Sequence, residues 1–425
     1  MNPQHPLYLK VADRIGIRLW RDALWDGKRC TWLGWSHETV NQRAVTAYRS
    51  LAGELYDGSV GIALFLAELY QFTGDVQQLR VLEGAVNHAI SLVQDRQDSP
   101  SYGCYNGLSG VAWALSRIGY LLKNEQLIET SLTLVLGLRG IAPDVRAIDV
   151  VGGSAGTIPV LLSMAQIHDR GDLYELAKVH GNHLLALAEA SEQGYSWNTL
   201  HRVGQANLLG HSHGVAGIVT ALLELHHATG EQKFLHAALE GLRYERLQFN
   251  AEAGNWPDLR QSNKPVNPTL AEIPEAASYM VAWCHGAPGI GLSRLRNSEL
   301  LPQNIEIKQD LENAIQTTAN SLLRPWIHGS GNYSLCHGAS GNAELMIMAG
   351  QALKRPELTA IAEKVADEGI EYYVQQGLPW PCGVTGAGET PSLMLGTAGI
   401  GHFYLRLFQP ETVPSILICT PPKTR

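Results

Sequence analysis

Charge is scarce in this chain of 425 residues: Asp, Glu, Lys and Arg together make up 17%, and the formal net charge is −8. No Lys/Arg cluster marks a helix face, which argues against a nucleic-acid or anionic-membrane surface and leaves small or peptidic partners. Long apolar runs are also missing, so nothing reads as a membrane span. The opening MNPQHPLYLKVADR has neither the basic stretch nor the apolar core of a signal peptide. A cytoplasmic protein is expected. The six cysteines, Cys30, Cys104, Cys284, Cys336, Cys382 and Cys419, are too scattered for the dense disulfide framework of a small secreted domain. Linkers are lacking too: no Ser/Gly/Pro-rich stretch or charge block divides the sequence, so one domain over residues 1–425 is expected, with 45% hydrophobic residues to build its core.

What the chain has in quantity is glycine, 43 residues of it. At random they would give about four G-x-x-G pairs, and nine are present. Seven of the nine are followed at once by an apolar run, beginning at Gly58, Gly107, Gly153, Gly214, Gly286, Gly338 and Gly396. Their spacings of 49, 46, 61, 72, 52 and 58 residues match a helical hairpin with its turns. Runs such as IALFLAELYQF and IVTALLELHHA are apolar around most of a helix and read as buried. Polar punctuation and a more amphipathic stretch follow, so each unit is a buried helix, a turn and a half-exposed helix. The expected fold is all-α, a two-layer α/α ring of seven hairpins, with a repeat core over about residues 45–408 and residues 1–44 packing on it. The glycines are expected to provide positive φ or close backbone approach before each buried helix.

In such a ring the residues preceding the glycines gather at one mouth: Asp57, Asn106, Asp149, His213, Cys284 with His285, and Cys336 with His337. Asp57 and Asn106 read as helix N-caps. Taken singly, a Cys or His before a glycine is more often structural than functional. Repetition of Cys-His-Gly at equivalent positions shifts the balance, because thiolates and imidazoles converging on one cavity suit zinc.

The phrases SHGVAGI, WCHGAPGIG, SLCHGASGNAEL and NGLSGVAWAL resemble the lanthionine synthetase C-like family, the cyclases of lanthipeptide biosynthesis. RCTWLG and LYDGSVGIALFLAELYQFTGD look most like the cyclase domain of class II lanthipeptide synthetases, which carry a dehydratase domain before it. The resemblance implies an α/α toroid and one zinc per chain, with Cys284, Cys336 and His337 as ligands. It further implies His213 as the acid/base, partnered by Asp149, and leaves His285, His201, Arg202 and Trp283 as substrate or supporting residues. His211 stands with that group, whereas Cys104 and Cys382 read as buried structural cysteines. An Arg that some members place four residues before the first zinc Cys is Met280 here.

The implied reaction adds a peptide cysteine thiol, activated by zinc, to a dehydroalanine or dehydrobutyrine of a dehydrated precursor peptide, closing a thioether ring. An enolate forms and is protonated at its α-carbon by His213. Two other readings stay open: intermolecular addition of a thiol such as glutathione to dehydrated peptides, and a non-catalytic peptide-binding α/α toroid or ring-shaped carbohydrate enzyme. A dehydratase, separate or fused, is the expected partner.

Overall fold

The computed structural model describes residues 5–40, 43–95, 101–201, 206–261, 277–325 and 331–420. Among them fourteen α-helices dominate, accompanied by three two-stranded antiparallel sheets. After α1 (His5–Arg21), each glycine phrase opens a helix: α2 (Ser59–Thr73), α4 (Leu108–Leu122), α6 (Ser154–Ile167), α8 (Val215–Thr229), α10 (Ala287–Leu300), α12 (Ala339–Ala352) and α14 (Thr397–Phe408). Their all-round apolar surface is buried as it must be; in α2 every residue from Ser59 to Leu69 is inaccessible. The polar punctuation ends each of these, and the amphipathic stretches form α3 (Val76–Asp95), α5 (Glu125–Gly137), α7 (Gly171–Ala186), α9 (Gln232–Leu247), α11 (Ile305–Leu322) and α13 (Pro356–Gly369). No helix among the described residues is long and apolar enough to cross a membrane.

The structure changes the reason for the glycines. Six of the seven leading glycines are helix N-caps in extended backbone, with φ between −101° and −150°, and only Gly286 has a positive φ, 91°. Close approach is the recurring constraint. A Cβ at the second glycine would lie 1.9 Å from the Trp283 carbonyl oxygen at Gly289 and 1.8 Å from that of Leu335 at Gly341, in each case the carbonyl six residues earlier. Only a residue without a Cβ lets the incoming loop fold back on the first helical turn. Asp57 and Asn106 are not caps: Gly58 and Gly107 occupy that position, with no side-chain capping bond.

The chain divides into two compact units. The first comprises Met1–Pro100, Asn106–Val135 and Leu322–Leu417. In it α2 packs on α3 and α4, α12 on α13 and α14, and α14 on α1. Among the described residues no helix follows α14, and the seventh buried helix packs on α1. The hydroxyl of Tyr8 reaches Asp367 across 359 positions. Strands β1 (Leu24–Asp26) with β2 (Arg29–Thr31), and β3 (Leu33–Val40) with β4 (Arg43–Ser50), form two hairpins that the helical periodicity does not foreshadow. The second unit comprises Ser101–Tyr105, Leu136–Ser321 and Ile418–Arg425. There α6 packs on α7 and α8, α8 on α9 and α10, and the short hairpin of β5 (Glu189–Ser191) and β6 (Gly194–Ser196) lies against α9.

Neighbouring buried helices are joined by ion pairs that repeat with the phrases. Arg117 binds Glu68, Arg296 binds Glu224 and Arg406 binds Glu344, at 2.7, 2.5 and 2.9 Å. Each of these arginines stands seven residues after the second glycine of its phrase, so helical geometry sets it two turns in. A fourth network is fully enclosed: Arg294, with 0% side-chain exposure, bonds Glu245 at 2.5 Å and Asp310 at 3.1 Å. Removing one member of a buried network strands the remaining charge. Glu245→Ala is therefore expected to cost about 3–5 kcal/mol in chemical denaturation, and a loss below about 1 kcal/mol would contradict this role.

Candidate active site

The residues two places before each leading glycine share a structural role. In the second unit the Tyr105 amide donates to the Val151 carbonyl, the Val150 amide to Ser212, and the Ser212 amide to Cys284, at 2.9, 3.1 and 3.4 Å. In the first unit the Cys336 amide donates to Met394, and the Met394 amide to Tyr56, at 3.0 and 2.8 Å. Consecutive glycine loops are thus laced backbone to backbone, and Cys284 and Cys336 occupy equivalent places in the lacing. Both are buried.

In the first unit Cys336 Sγ and a ring nitrogen of His337 lie within 4.8 Å of each other. His337 Nε2 bonds the Gly383 carbonyl at 2.8 Å. A carbonyl only accepts, so Nε2 carries the proton and Nδ1 keeps its lone pair. This is the second-partner arrangement that fixes the tautomer of a metal-binding imidazole. Sequence reasoning passed over Gly383 because its own G-x-x-G pair lacks an apolar run.

In the second unit His213 Nδ1 bonds Asp149 Oδ2 at 2.6 Å, and the other carboxylate oxygen of Asp149 accepts the Gly152 amide at 2.8 Å. His285 stacks on His213 with centroids 5.9 Å apart. Burial depresses the charged form of both rings, but they end on opposite sides of the ordinary value. For His213 the hydrogen bond and charge of Asp149 outweigh burial and hold its pKa up. His285 lacks such a partner; burial pushes it down to about 4, and among the described residues its Nε2 is enclosed without a hydrogen bond. The pair therefore offers one proton donor beside one neutral imidazole.

Other expected contributors lie elsewhere. Trp283 is fully buried against Tyr105 and His211 and belongs to the core instead of a cavity wall. His211 is likewise internal, bonded through Nδ1 to Ser293 Oγ at 2.8 Å, and burial pushes its pKa down to about 4. His201 is exposed and bonds the Arg146 carbonyl at 3.1 Å, whereas Arg202 lies outside the described residues. Cys104 has a neighbour that spacing could not reveal, with its sulfur 3.3 Å from that of Cys419. Arg260, held by Asp258, places Nη2 3.3 Å from Met280 Sδ. A guanidinium thus stands beside the position where Met280 replaces the expected Arg, supplied from a loop with no periodicity to mark it.

A family model described as lanthionine synthetase C-like protein matches residues 50–418. The chain belongs to the lanthionine synthetase C-like family. The lacticin 481/lactococcin biosynthesis protein LcnDR2 of Lactococcus lactis subsp. lactis is 23% identical over 405 residues, covering 88% of this chain and 39% of that protein. The chain therefore spans well under half the length of that relative. The glutathione S-transferase LANCL1 of Danio rerio is 23% identical over 84% of this chain and 82% of its own. Among solved structures, nisin cyclase aligns with a TM-score of 0.61 at 20% identity, covering 85% of this chain and 89% of that one. This likeness shows the fold: the chain is all-α, of the α/α-toroid class.

Within this member of the family, Asp149 is the group that holds the His213 proton. In Asp149→Asn, burial should take over and the His213 pKa should fall below the ordinary imidazole value in an NMR pH titration. An unchanged titration would remove Asp149 from that role.

Proposed function

We propose that this chain is a zinc-dependent lanthipeptide cyclase. It would join peptide cysteine thiols to dehydroalanine and dehydrobutyrine, forming lanthionine and methyllanthionine. The observation that carries this reading is the donor set: Cys284, Cys336 and His337 offer ligand atoms that could hold one metal ion. Two thiolates and one imidazole suit zinc and leave a position for a further ligand. The Nε2 bond of His337 to Gly383 supports the fit. Zinc held there would supply a Lewis acid that lowers the pKa of an incoming thiol from about 8.5. In this reading the chain works as a single cyclase domain.

The remaining chemistry falls to the protein's own groups. As the thiol sulfur bonds to the β-carbon, the double-bond electrons pass to the neighbouring carbonyl as an enolate. His213, protonated through Asp149, delivers the proton to the α-carbon. The Arg260 cation, held by Asp258 beside Met280, would oppose the developing negative charge. His285, neutral and stacked on His213, prevents a second positive charge from competing for the same space. The substrate would be a dehydrated precursor peptide, made by a separate or fused dehydratase and processed in the cytoplasm, where thiols stay reduced.

The likeness to LANCL1 favours a second reading, transfer of a glutathione thiol to a dehydrated residue. A dehydrated peptide with an internal cysteine, offered together with glutathione, separates the two by mass: cyclisation leaves the peptide mass unchanged, whereas transfer adds one glutathione. Cyclisation is expected. Cys336→Ala should lose the metal and reduce ring formation about 100-fold or more; full zinc content with unchanged cyclisation in that variant would sink the assignment. His213→Gln should keep its zinc while slowing the reaction about 10²–10⁴-fold, and a rate within a few-fold of the native one would exclude it as the proton donor.

A further inference from the structure

Tyr102 is a buried phenol that the proposed chemistry does not use. With 3% of its surface exposed, it is too enclosed to touch a substrate. Its hydroxyl accepts the Asp144 amide at 2.9 Å and donates to the Ala147 carbonyl at 2.7 Å. Its ring leans on His180, with centroids 5.0 Å apart, and His180 Nδ1 is bonded to Ser154 Oγ at 3.0 Å. Burial pushes the His180 pKa down to about 4, so that ring is neutral. Thr157 Oγ1 donates to the carbonyl of Tyr102 itself at 2.9 Å. A hydroxyl inside a protein is costly unless it is bonded, and this one spends both of its bonds on the turn that leads into Asp149.

The short piece Tyr102–Tyr105 bears on both flanks of Asp149, all within the second unit. On the near flank Tyr102 holds the turn Asp144–Ala147. On the far flank Gly103 lies so close to Gly152 that a Cβ would stand 2.3 Å from the Gly152 carbonyl carbon, and the Tyr105 amide donates to Val151 at 2.9 Å. Gly152 is the residue whose amide fixes one Asp149 oxygen, while the other oxygen holds His213. The turn is gripped from outside as well, by His183 Nε2 on the Asp144 carbonyl and His201 Nε2 on that of Arg146, both at 3.1 Å. His201 does so at a φ of 52°, a left-handed backbone that a non-glycine residue keeps only where its surroundings impose it. Tyr333 gives the contrast. It stands five residues before Gly338, as Tyr102 stands before Gly107, and it is fully buried, but its hydroxyl goes to the Val365 carbonyl on α13, at 3.1 Å. The same residue at the same place ties one loop to an outer helix and the other to the approach to Asp149.

We propose that Tyr102 is a positioning residue for proton delivery: by bracing the turn Asp144–Ala147 it fixes the carboxylate of Asp149, and through it the orientation of His213. The idea rests on the reading of His213 as the proton donor of a cyclase. Without the hydroxyl, the turn loses its one enclosed support and Asp149 can drift from the 2.6 Å bond that it makes to His213. Proton transfer depends steeply on such placement, even when the change is made away from the reacting atoms.

The test is Tyr102→Phe, which removes the hydroxyl and little else. In the full chain made with isotope-labelled histidine, the Nδ1–H proton of His213 is followed by NMR and identified by its loss in His213→Gln. In the native chain it should resonate far downfield, as a proton donated to a carboxylate at short distance does. In Tyr102→Phe it should move upfield or broaden through exchange with water, while kcat falls about tenfold and KM and zinc content stay the same. Tyr333→Phe, which loses a comparable buried bond, should lower the melting temperature alike and leave the His213 signal in place. An unmoved signal in folded Tyr102→Phe, with or without a loss of rate, or an equal displacement in Tyr333→Phe, would overturn the proposal. If Tyr102→Phe does not fold, Thr157→Val, which releases the Tyr102 carbonyl, should move the signal in the same direction, and no movement there counts against the proposal equally. The signal needs no turnover, so a native chain that fails to cyclise a dehydrated peptide would remove the cyclase reading and leave the bracing of the Asp149–His213 pair to be decided by the spectrum.

Discussion

The backbone lacing between glycine loops is the constraint on which the rest of the structure depends. Each loop gives its amide to the next, from Val150 to Ser212 to Cys284 in one unit and from Cys336 to Met394 to Tyr56 in the other. For the lacing to form, every loop must lie flat on the first turn of its own helix, and the second glycine makes that possible by bringing no Cβ against the carbonyl six residues earlier. Side chains on laced residues inherit a fixed origin. A cysteine at such a position starts from backbone whose hydrogen bonds are already satisfied, so its sulfur is placed by the scaffold before any ligand arrives.

Two imidazoles with ring centroids 5.9 Å apart would ordinarily resist both carrying charge. Here the resistance is resolved by asymmetry. Asp149 bonds one of the stacked rings, and its second oxygen is occupied by the Gly152 amide, so the carboxylate is oriented before the histidine is considered. His285 has no hydrogen-bonded carboxylate, and burial outweighs the nearby charges of Cys284 and Asp258. The two rings are thereby shifted in opposite directions, His213 up and His285 down, while Arg260 disfavours positive charge on both.

Much of this was legible from the sequence because the fold repeats. A period near fifty residues revealed the seven buried helices, and the position before each leading glycine pointed to His213, Cys284, Cys336 and His337. What escaped notice lies outside the period. The hairpins of β1–β4 occupy the segment before the first phrase, where no second copy exists for comparison, and that of β5 and β6 sits in the connection after α7. Arg260 sits in the long connection before α10, and Gly383 contributes a carbonyl, a group every residue has. Trp283 and His211 show the converse limit: both adjoin a glycine phrase and both are buried, and adjacency in sequence does not say which way a side chain turns. Of the two roles expected of the glycines, close approach and not positive φ is the recurring one: only Gly286 of the seven leading glycines has a positive φ.

The pairing of α1 with α14 has a consequence for how the chain comes into being. Helix α1 is made well before α14, and its buried face, with Tyr8, Val11, Ala12, Ile15 and Leu19, packs on α2 and α3 but lacks its main partner until α14 has been synthesised. Through most of translation that apolar stripe must be covered by something transient or left open to solvent. Contacts between chain segments so far apart form slowly and late. The first unit should therefore be the last to consolidate, and a ribosome stalled before Thr397 would carry a nascent chain in which α1 exposes an adhesive, half-covered face.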